Sequence, residues 1–188
     1  MTIDKEVRIK QIEKHFGEIM KLLGLNLKNA SLKETPKRVA KMYMNELCEG
    51  IIGEMPLIKT FPNKGYDQMV LVKNITLTSM CEHHFLPFVG QCHVAYLPGK
   101  FVIGLSKIPR IVKFFAAKPQ IQEHLTKEIA DYLSKALDTQ NVAVLITAQH
   151  QCCSIRGVKD ATSATTTSIM RGLFREGLRA EFLNAVNS

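Results

Sequence analysis

Two short clusters hold most of the reactive side chains of the chain. Cys81-Glu82-His83-His84 follows an apolar, β-branched run and precedes Leu86-Pro87-Phe88, which predicts a turn at a strand end. His150-Gln151-Cys152-Cys153 closes a second apolar run. In a turn, residues three apart can face the same way, so Cys81 and His84 can share one metal while His83 points elsewhere. Thiolate and imidazole together suit Zn²⁺, which accepts N and S donors in tetrahedral geometry. A closed structural site uses four ligands, usually in Cys-x-x-Cys units, and the sequence has no such unit. Cys81, His84 and one cysteine of the second cluster make three, which leaves a position for water. That is the catalytic arrangement, in which zinc lowers the pKa of water to about 7. His83 and His150 remain as titratable groups suited to proton transfer.

A basic segment and an acidic one lie between the clusters. Ser106 and Lys107, in Gly104-Leu-Ser-Lys-Ile-Pro-Arg110, fall at a predicted helix start, where unpaired N–H groups favour anions. Arg110 adds charge there, and Arg156, four residues beyond Cys152, can join it. Gln122-Glu123 falls in the first turn of the next predicted helix. A carboxylate that accepts two N–H donors, beside an amide, suits a guanine edge, although a first-turn Glu is also ordinary helix chemistry. Cys48 and Cys92 read as core or plain surface thiols, and His15 and His124 as solvated helix residues.

These groups need elements to hold them. Ile9, Ile12, Phe16, Ile19 and Leu23 predict a helix over 5–23, stopped by Gly24. Thr35-Pro36 opens a second helix, with Val39, Tyr43 and Leu47 as its stripe and Gly50 as its end. Residues 50–67 read as a connection. Strands are predicted over 69–79, 91–97, 142–148 and 164–170, with Pro98-Gly99 as a turn. Helices are predicted over 107–115, capped by Ser106, from Pro119 through Leu137, and over 178–186. The core order is strand, strand, helix, helix, strand, strand. It predicts an α+β domain over 66–188, an antiparallel sheet with two helices on one face, behind an N-terminal helical arm over 1–65. The other sheet face also needs cover, and self-association supplies it.

The composition agrees with a folded enzyme. The chain has 188 residues, of which 46% are hydrophobic and 22% charged, which excludes disorder along most of its length. No apolar run approaches the roughly 20 residues that span a bilayer, and the charged N-terminus has no signal-peptide core. Five cysteines, an odd number, fit free thiols or metal ligands in a reducing compartment better than a disulfide framework. The +8 charge favours an anionic partner. Basic residues near the motifs are too few and too local for a nucleic-acid groove, and no aromatics interleave with them.

Taken together, the motifs resemble GTP cyclohydrolase type I. The resemblance rests on Cys81-Glu-His-His84, Gly104-Leu-Ser-Lys107, Gln120-Ile-Gln-Glu123, His150-x-Cys152, Arg156-Gly157, Asp160-Ala-Thr-Ser-Ala-Thr-Thr-Thr167 and Glu34-Thr-Pro-x-Arg38-Val-Ala-Lys41-Met-Tyr43. It runs over residues 10–185. It implies the tunnelling fold (β-β-α-α-β-β), rings with active sites at subunit interfaces, and a homodecamer of two pentamers. The implied reaction converts GTP and water to 7,8-dihydroneopterin triphosphate and formate, the entry to pterin and folate synthesis, in the cytoplasm. By position, the resemblance implies that Cys81, His84 and Cys152 hold one Zn²⁺ per subunit and that Cys153 is not a ligand. It implies hydrolytic attack at C8 of the purine, with His150 donating to N7, His83 assisting, and Ser106 serving the later rearrangement and ring closure. Gln122 and Glu123 would hold the guanine. Lys107, Arg110 and Arg156 would hold the triphosphate, with Arg38 and Lys41 reaching in from a neighbouring subunit. No nucleic acid or membrane partner is implied, and the extended regulatory region of animal members is not visible, so allosteric control is not expected.

Overall fold

The computed structural model describes residues 4–188, in two compact units, Met1–Gly53 and Glu54–Ser188. In the first unit, α1 (Lys5–Leu22) starts where the Asp4 carboxylate accepts from the backbone N–H groups of Glu6 (2.9 Å) and Val7 (3.4 Å). It ends at Gly24, whose φ of +78° favours a residue without a side chain. The next helix, α2 (Thr35–Met42), carries Pro36 in its first turn. Glu34 precedes it, and no side chain caps it, so the capping role expected of Thr35 is not taken up. The expected helix does not run on to Gly50. It widens into a π-helical turn over Tyr43–Leu47, closed by Cys48 N–H donating to Tyr43 O (2.7 Å), and resumes as α3 (Glu49–Ile52). The buried stripe is Ala40, Met44 and Cys48 rather than Val39, Tyr43 and Leu47. A wider turn keeps residues four apart on one face, and Ala40 and Met44 there pack with Ile9 of α1.

The second unit is built on a five-stranded sheet in the order β5-β2-β3-β6-β7. Its long strands are β2 (Val70–Cys81), β3 (Pro87–Tyr96), β6 (Val142–His150) and β7 (Thr165–Met170), which pair with one another antiparallel. A separate ladder pairs β1 (Thr60–Pro62) with β4 (Phe101–Ile103), which ties residues before the sheet to this unit. Two helices, α4 (Lys107–Ala116) and α5 (Gln122–Ala136), cover one face. Alternation along the strands sends Ile75 and Leu77, Cys92, Val94 and Tyr96, and Val142, Val144 and Ile146 into that core. They meet Ile108, Ile111 and Val112 of α4 and Leu125, Ile129 and Leu133 of α5. The fold is the expected α+β arrangement.

Three details depart from the pattern reading. Pro119 does not start a helix; Pro119–Gln120 forms β5, a short parallel addition to β2 that sets Cys81 opposite Gln120. Gln120 is held there because its side-chain amide donates to Phe115 O (3.1 Å) and to the Glu128 carboxylate (2.9 Å). Pro87 and Phe88 belong to β3 rather than to the preceding turn, since a proline is tolerated at the first position of a strand. The opposite sheet face is partly covered by the chain itself. Phe174, in a 3₁₀ turn (Gly172–Arg175), and Phe182, in α7 (Arg179–Asn187), pack on Ala95, Ala143 and Leu145. Another part of that face, where Thr147 and Thr166 are hydrogen-bonded at 2.9 Å and Val89 is 45% exposed, is open to solvent.

Gly90 of β3 has no room for a side chain against β6. A Cβ there would lie 1.9 Å from Thr147 O and 2.6 Å from Ala148 Cα, both backbone atoms of β6 that cannot swing aside. Gly90→Ala is therefore expected to cost more than the ~3 kcal/mol upper range of ordinary overpacking. A urea midpoint within experimental error of the parent would show that β3 and β6 can separate freely.

Candidate metal centre and active site

The sheet topology brings the two reactive clusters together. Because β3 runs antiparallel to both β2 and β6, the ends of those two strands emerge at the same edge. Met80 pairs with Pro87, and Phe88 pairs with His150, so both clusters flank the start of β3. Cys81 is the last residue of β2, and the chain then turns tightly. Cys81 N–H donates to Leu86 O (2.8 Å), and Phe85 N–H donates to Cys81 O (2.9 Å). On the other side, β6 ends at His150 and passes into α6 (Gln151–Ser154), which carries Cys152.

One ligand atom each from Cys81, His84 and Cys152 lies within 4.8 Å of the other two. Around a tetrahedral zinc with Zn–S of about 2.3 Å and Zn–N of about 2.0 Å, such atoms sit roughly 3.5–3.8 Å apart. The donor set therefore needs only a small contraction to enclose an ion, and its chemistry fits a thiolate-binding metal. Cys81 is buried, Cys152 packs partly against the main core, and His84 is exposed, so the group opens toward solvent on one side. Without a cation the surroundings oppose ionisation of Cys152. The Cys152 thiol is pushed up to about 11, first by loss of water around it and then by the neighbouring Cys81 thiol. A bound cation reverses that preference, since a coordinating thiol is deprotonated outright.

His83 Nδ1 lies 3.8 Å from Cys81 Sγ, next to the donor set but outside it. His150 is more tightly held. Its ring stacks on Phe88 at 4.6 Å and 12°, and its Nε2 lies 2.8 Å from Gln122 Oε1. Burial holds its pKa below the usual histidine value, against an opposing pull from Glu123. Glu123 itself is exposed in the first turn of α5. Arg156 reaches the same rim, its Nη1 donating to His84 Nε2 at 3.0 Å.

Gln122 is buried, unlike its exposed neighbour Glu123. Its side chain is 1% exposed, and its amide is spent on Ile146, Thr165, Thr167 and His150. No pattern in the sequence signals this, because the partners come from β6 and β7. Ser106 precedes α4 and is exposed, with no capping bond from its side chain, while Lys107 and Arg110 stand in the first turn of that helix. Arg38 and Lys41 are exposed on α2 of the first unit. Cys92 is a core thiol, and His93 is also buried, its Nδ1 accepting from Asn74 N–H at 3.3 Å.

Proximity of the two ligand thiols has a redox consequence. Without the metal, Cys81 and Cys152 lie close to each other, and a disulfide needs only a shift of the side chains on their turns to reach about 2.05 Å. Metal-free protein exposed to air is expected to form the Cys81–Cys152 disulfide and to resist metal reloading until reduced. Non-reducing peptide mapping checks this. Two alkylatable thiols after prolonged oxidation would argue against a shared metal.

Comparison with known proteins agrees with the motifs and the geometry. The sequence model described as GTP cyclohydrolase I matches residues 12–187. A protein named GTP cyclohydrolase 1 from Serratia proteamaculans (strain 568) is 51% identical over 189 residues, covering 98% of this chain and 86% of that protein. Proteins of the same name from Enterobacter sp. (strain 638) and Klebsiella pneumoniae subsp. pneumoniae are each 52% identical over 188 residues, covering 98% of this chain and 85% of theirs. With its motifs in order along almost the whole chain and a Cys-His-Cys donor set at the shared edge of its sheet, the chain belongs to the GTP cyclohydrolase I family.

Proposed function

We propose that the chain opens the imidazole ring of GTP by hydrolysis, releases formate, and recloses the remaining carbons to 7,8-dihydroneopterin triphosphate, the first step of pterin and tetrahydrofolate synthesis. The observation that carries this reading is the convergence of Cys81, His84 and Cys152 beside His150 in a chain of that family. Cys81, His84 and Cys152 would hold the metal, read here as Zn²⁺, one per subunit. When bound it supplies Lewis acidity that makes a hydrolytic water available near neutral pH.

The protein's own groups do the rest. His150, whose pKa burial holds below the usual histidine value, handles the proton at purine N7, and His83 assists from beside Cys81. Glu123 accepts the two N–H groups of the guanine edge, and the first-turn N–H groups of α5 favour its negative charge. Lys107, Arg110 and Arg156 bind the triphosphate, which needs several cations to offset its charge. Ser106 serves the sugar rearrangement. Arg38 and Lys41, exposed on α2, complete a neighbouring subunit's site in a homodecamer. The exposed part of the sheet face is apt for such assembly, since Val89 is open on it. Among the described residues no helix is long and apolar enough to cross a membrane, and we assign the enzyme to the cytoplasm.

The test is to incubate zinc-loaded protein with GTP and measure formate together with a pterin that fluoresces after oxidation. Both are expected in equal amounts, lost on chelation and restored by zinc. No product from protein with its zinc and its oligomer intact would overturn the reading.

A further inference from the structure

The threonine run Thr165-Thr166-Thr167 has no part in the chemistry above, yet it sits over the side chain that touches His150. Gln122 Nε2 lies 3.2 Å from Ile146 O and 3.0 Å from Thr165 O. Both are main-chain carbonyls, which only accept. This end of the side chain must therefore be the NH₂ group, and the amide cannot be reversed. Thr126 makes the next link. Its hydroxyl lies 2.7 Å from the Gln122 main-chain carbonyl, again an acceptor only, so the Thr126 proton points there. The Thr126 and Thr167 oxygens are 2.6 Å apart, and with the Thr126 proton already used, Thr167 must donate. Thr167 Oγ1 then has lone pairs turned toward Gln122 Nε2, at 3.1 Å, so the two amide hydrogens are shared among this oxygen and the two carbonyls. Every hydrogen bond in the set has one possible direction. At its end Gln122 Oε1, an acceptor, faces His150 Nε2 at 2.8 Å, so Nε2 must carry a hydrogen.

We propose that Thr167, Thr126 and Gln122 form a one-way hydrogen-bond chain that holds His150 with its hydrogen on Nε2, so that Nδ1 is the nitrogen that exchanges a proton with the purine. Phe88, stacked on the ring, fixes the plane in which Nδ1 points. The step balances. With Nε2 already protonated, Nδ1 takes up one proton from solvent and passes that proton to purine N7, which leaves the neutral Nε2–H form again, with the Gln122 bond intact throughout. Gln122 is thus a positioning residue and not a contact of the base. The buried amide has no other acceptor to offer, because its NH₂ end is saturated. The assignment of Nδ1 as the working atom rests on the reading of His150 as the proton donor, whereas the location of the resting hydrogen does not.

Solid-state ¹⁵N NMR of the histidine-labelled, zinc-loaded protein tests it, with the His150 signal assigned by its loss in His150→Gln. At a pH where His150 is neutral, a protonated Nε2 and a bare Nδ1 are expected. The opposite pattern would overturn the proposal. Gln122→Met, which keeps the volume and removes the acceptor, is expected to lower kcat by roughly 10²-fold, the low end of what a positioned acid contributes. KM for GTP and zinc content should stay within twofold. A raised KM with unchanged kcat would overturn the positioning role and make Gln122 a base contact. If Gln122→Met fails to fold, the spectrum of the parent still decides. If His150→Gln keeps full activity, the proton-donor reading fails, while the spectrum reports independently on the hydrogen-bond chain.

Discussion

Cys152→Ala is expected to lose bound metal and ring-opening activity together, while Cys153→Ala keeps both. The two residues are adjacent, and composition does not distinguish them. Geometry does. The Cys152 sulfur belongs to the group whose ligand atoms lie within 4.8 Å of one another, and the residue packs partly against the core. Cys153 is exposed, with its sulfur 4.0 Å from that of Cys152 and outside the donor set. Successive residues on a helical turn project in different directions, so only one of the pair can face the end of β2. Loss of a group that merely orients a ligand costs about 10–100-fold in metal affinity or activity. Removing one of three ligands should exceed that, since the two left cannot enclose the ion. Elemental analysis after dialysis, alongside formate release, measures both effects. Metal lost from Cys153→Ala but retained by Cys152→Ala would move the ligand to the neighbouring position.

The second large effect concerns the base. Glu123→Ala should retain its metal and lose its grip on GTP. A carboxylate that accepts two N–H groups makes two charge-assisted hydrogen bonds, at roughly 1.5–3 kcal/mol each. Their combined loss predicts a fall of about 10²–10⁴ in kcat/KM, carried mainly by KM. Folding should barely change, because Glu123 is exposed and forms no ion pair among the described residues. Surface substitutions of that kind usually stay within about 0.5 kcal/mol. Isothermal titration with GTP, set beside zinc content and a thermal melt, separates the alternatives. Unchanged GTP binding would reduce Glu123 to a first-turn carboxylate favoured by the helix dipole.

The sequence by itself determined where the reactive side chains lie along the chain and in what kind of element most of them stand. Side-chain type and local period are properties of the chain, so Cys-x-x-His at a strand end, His-x-Cys after another strand, and two amphipathic helices between them were all readable. It also determined the layer order, because alternation in the strands and a three-to-four period in the helices each demand an apolar partner. Tertiary structure decided how those pieces meet. The single strand β3, antiparallel to both β2 and β6, places residues about seventy apart in the chain at one sheet edge, and only there do Cys81, His84 and Cys152 become one donor set. The same packing buried the Gln122 side chain. An amide in the first turn of a helix reads as exposed, but four acceptor and donor atoms from β6 and β7 close around it. It turned Pro119 from a helix start into a strand, because the edge of β2 offered backbone partners. It also moved the buried stripe of the second helix by one residue, because Ala40 and Met44 pack with Ile9 of α1. In each case the deciding partner is distant in sequence, so no local pattern could name it.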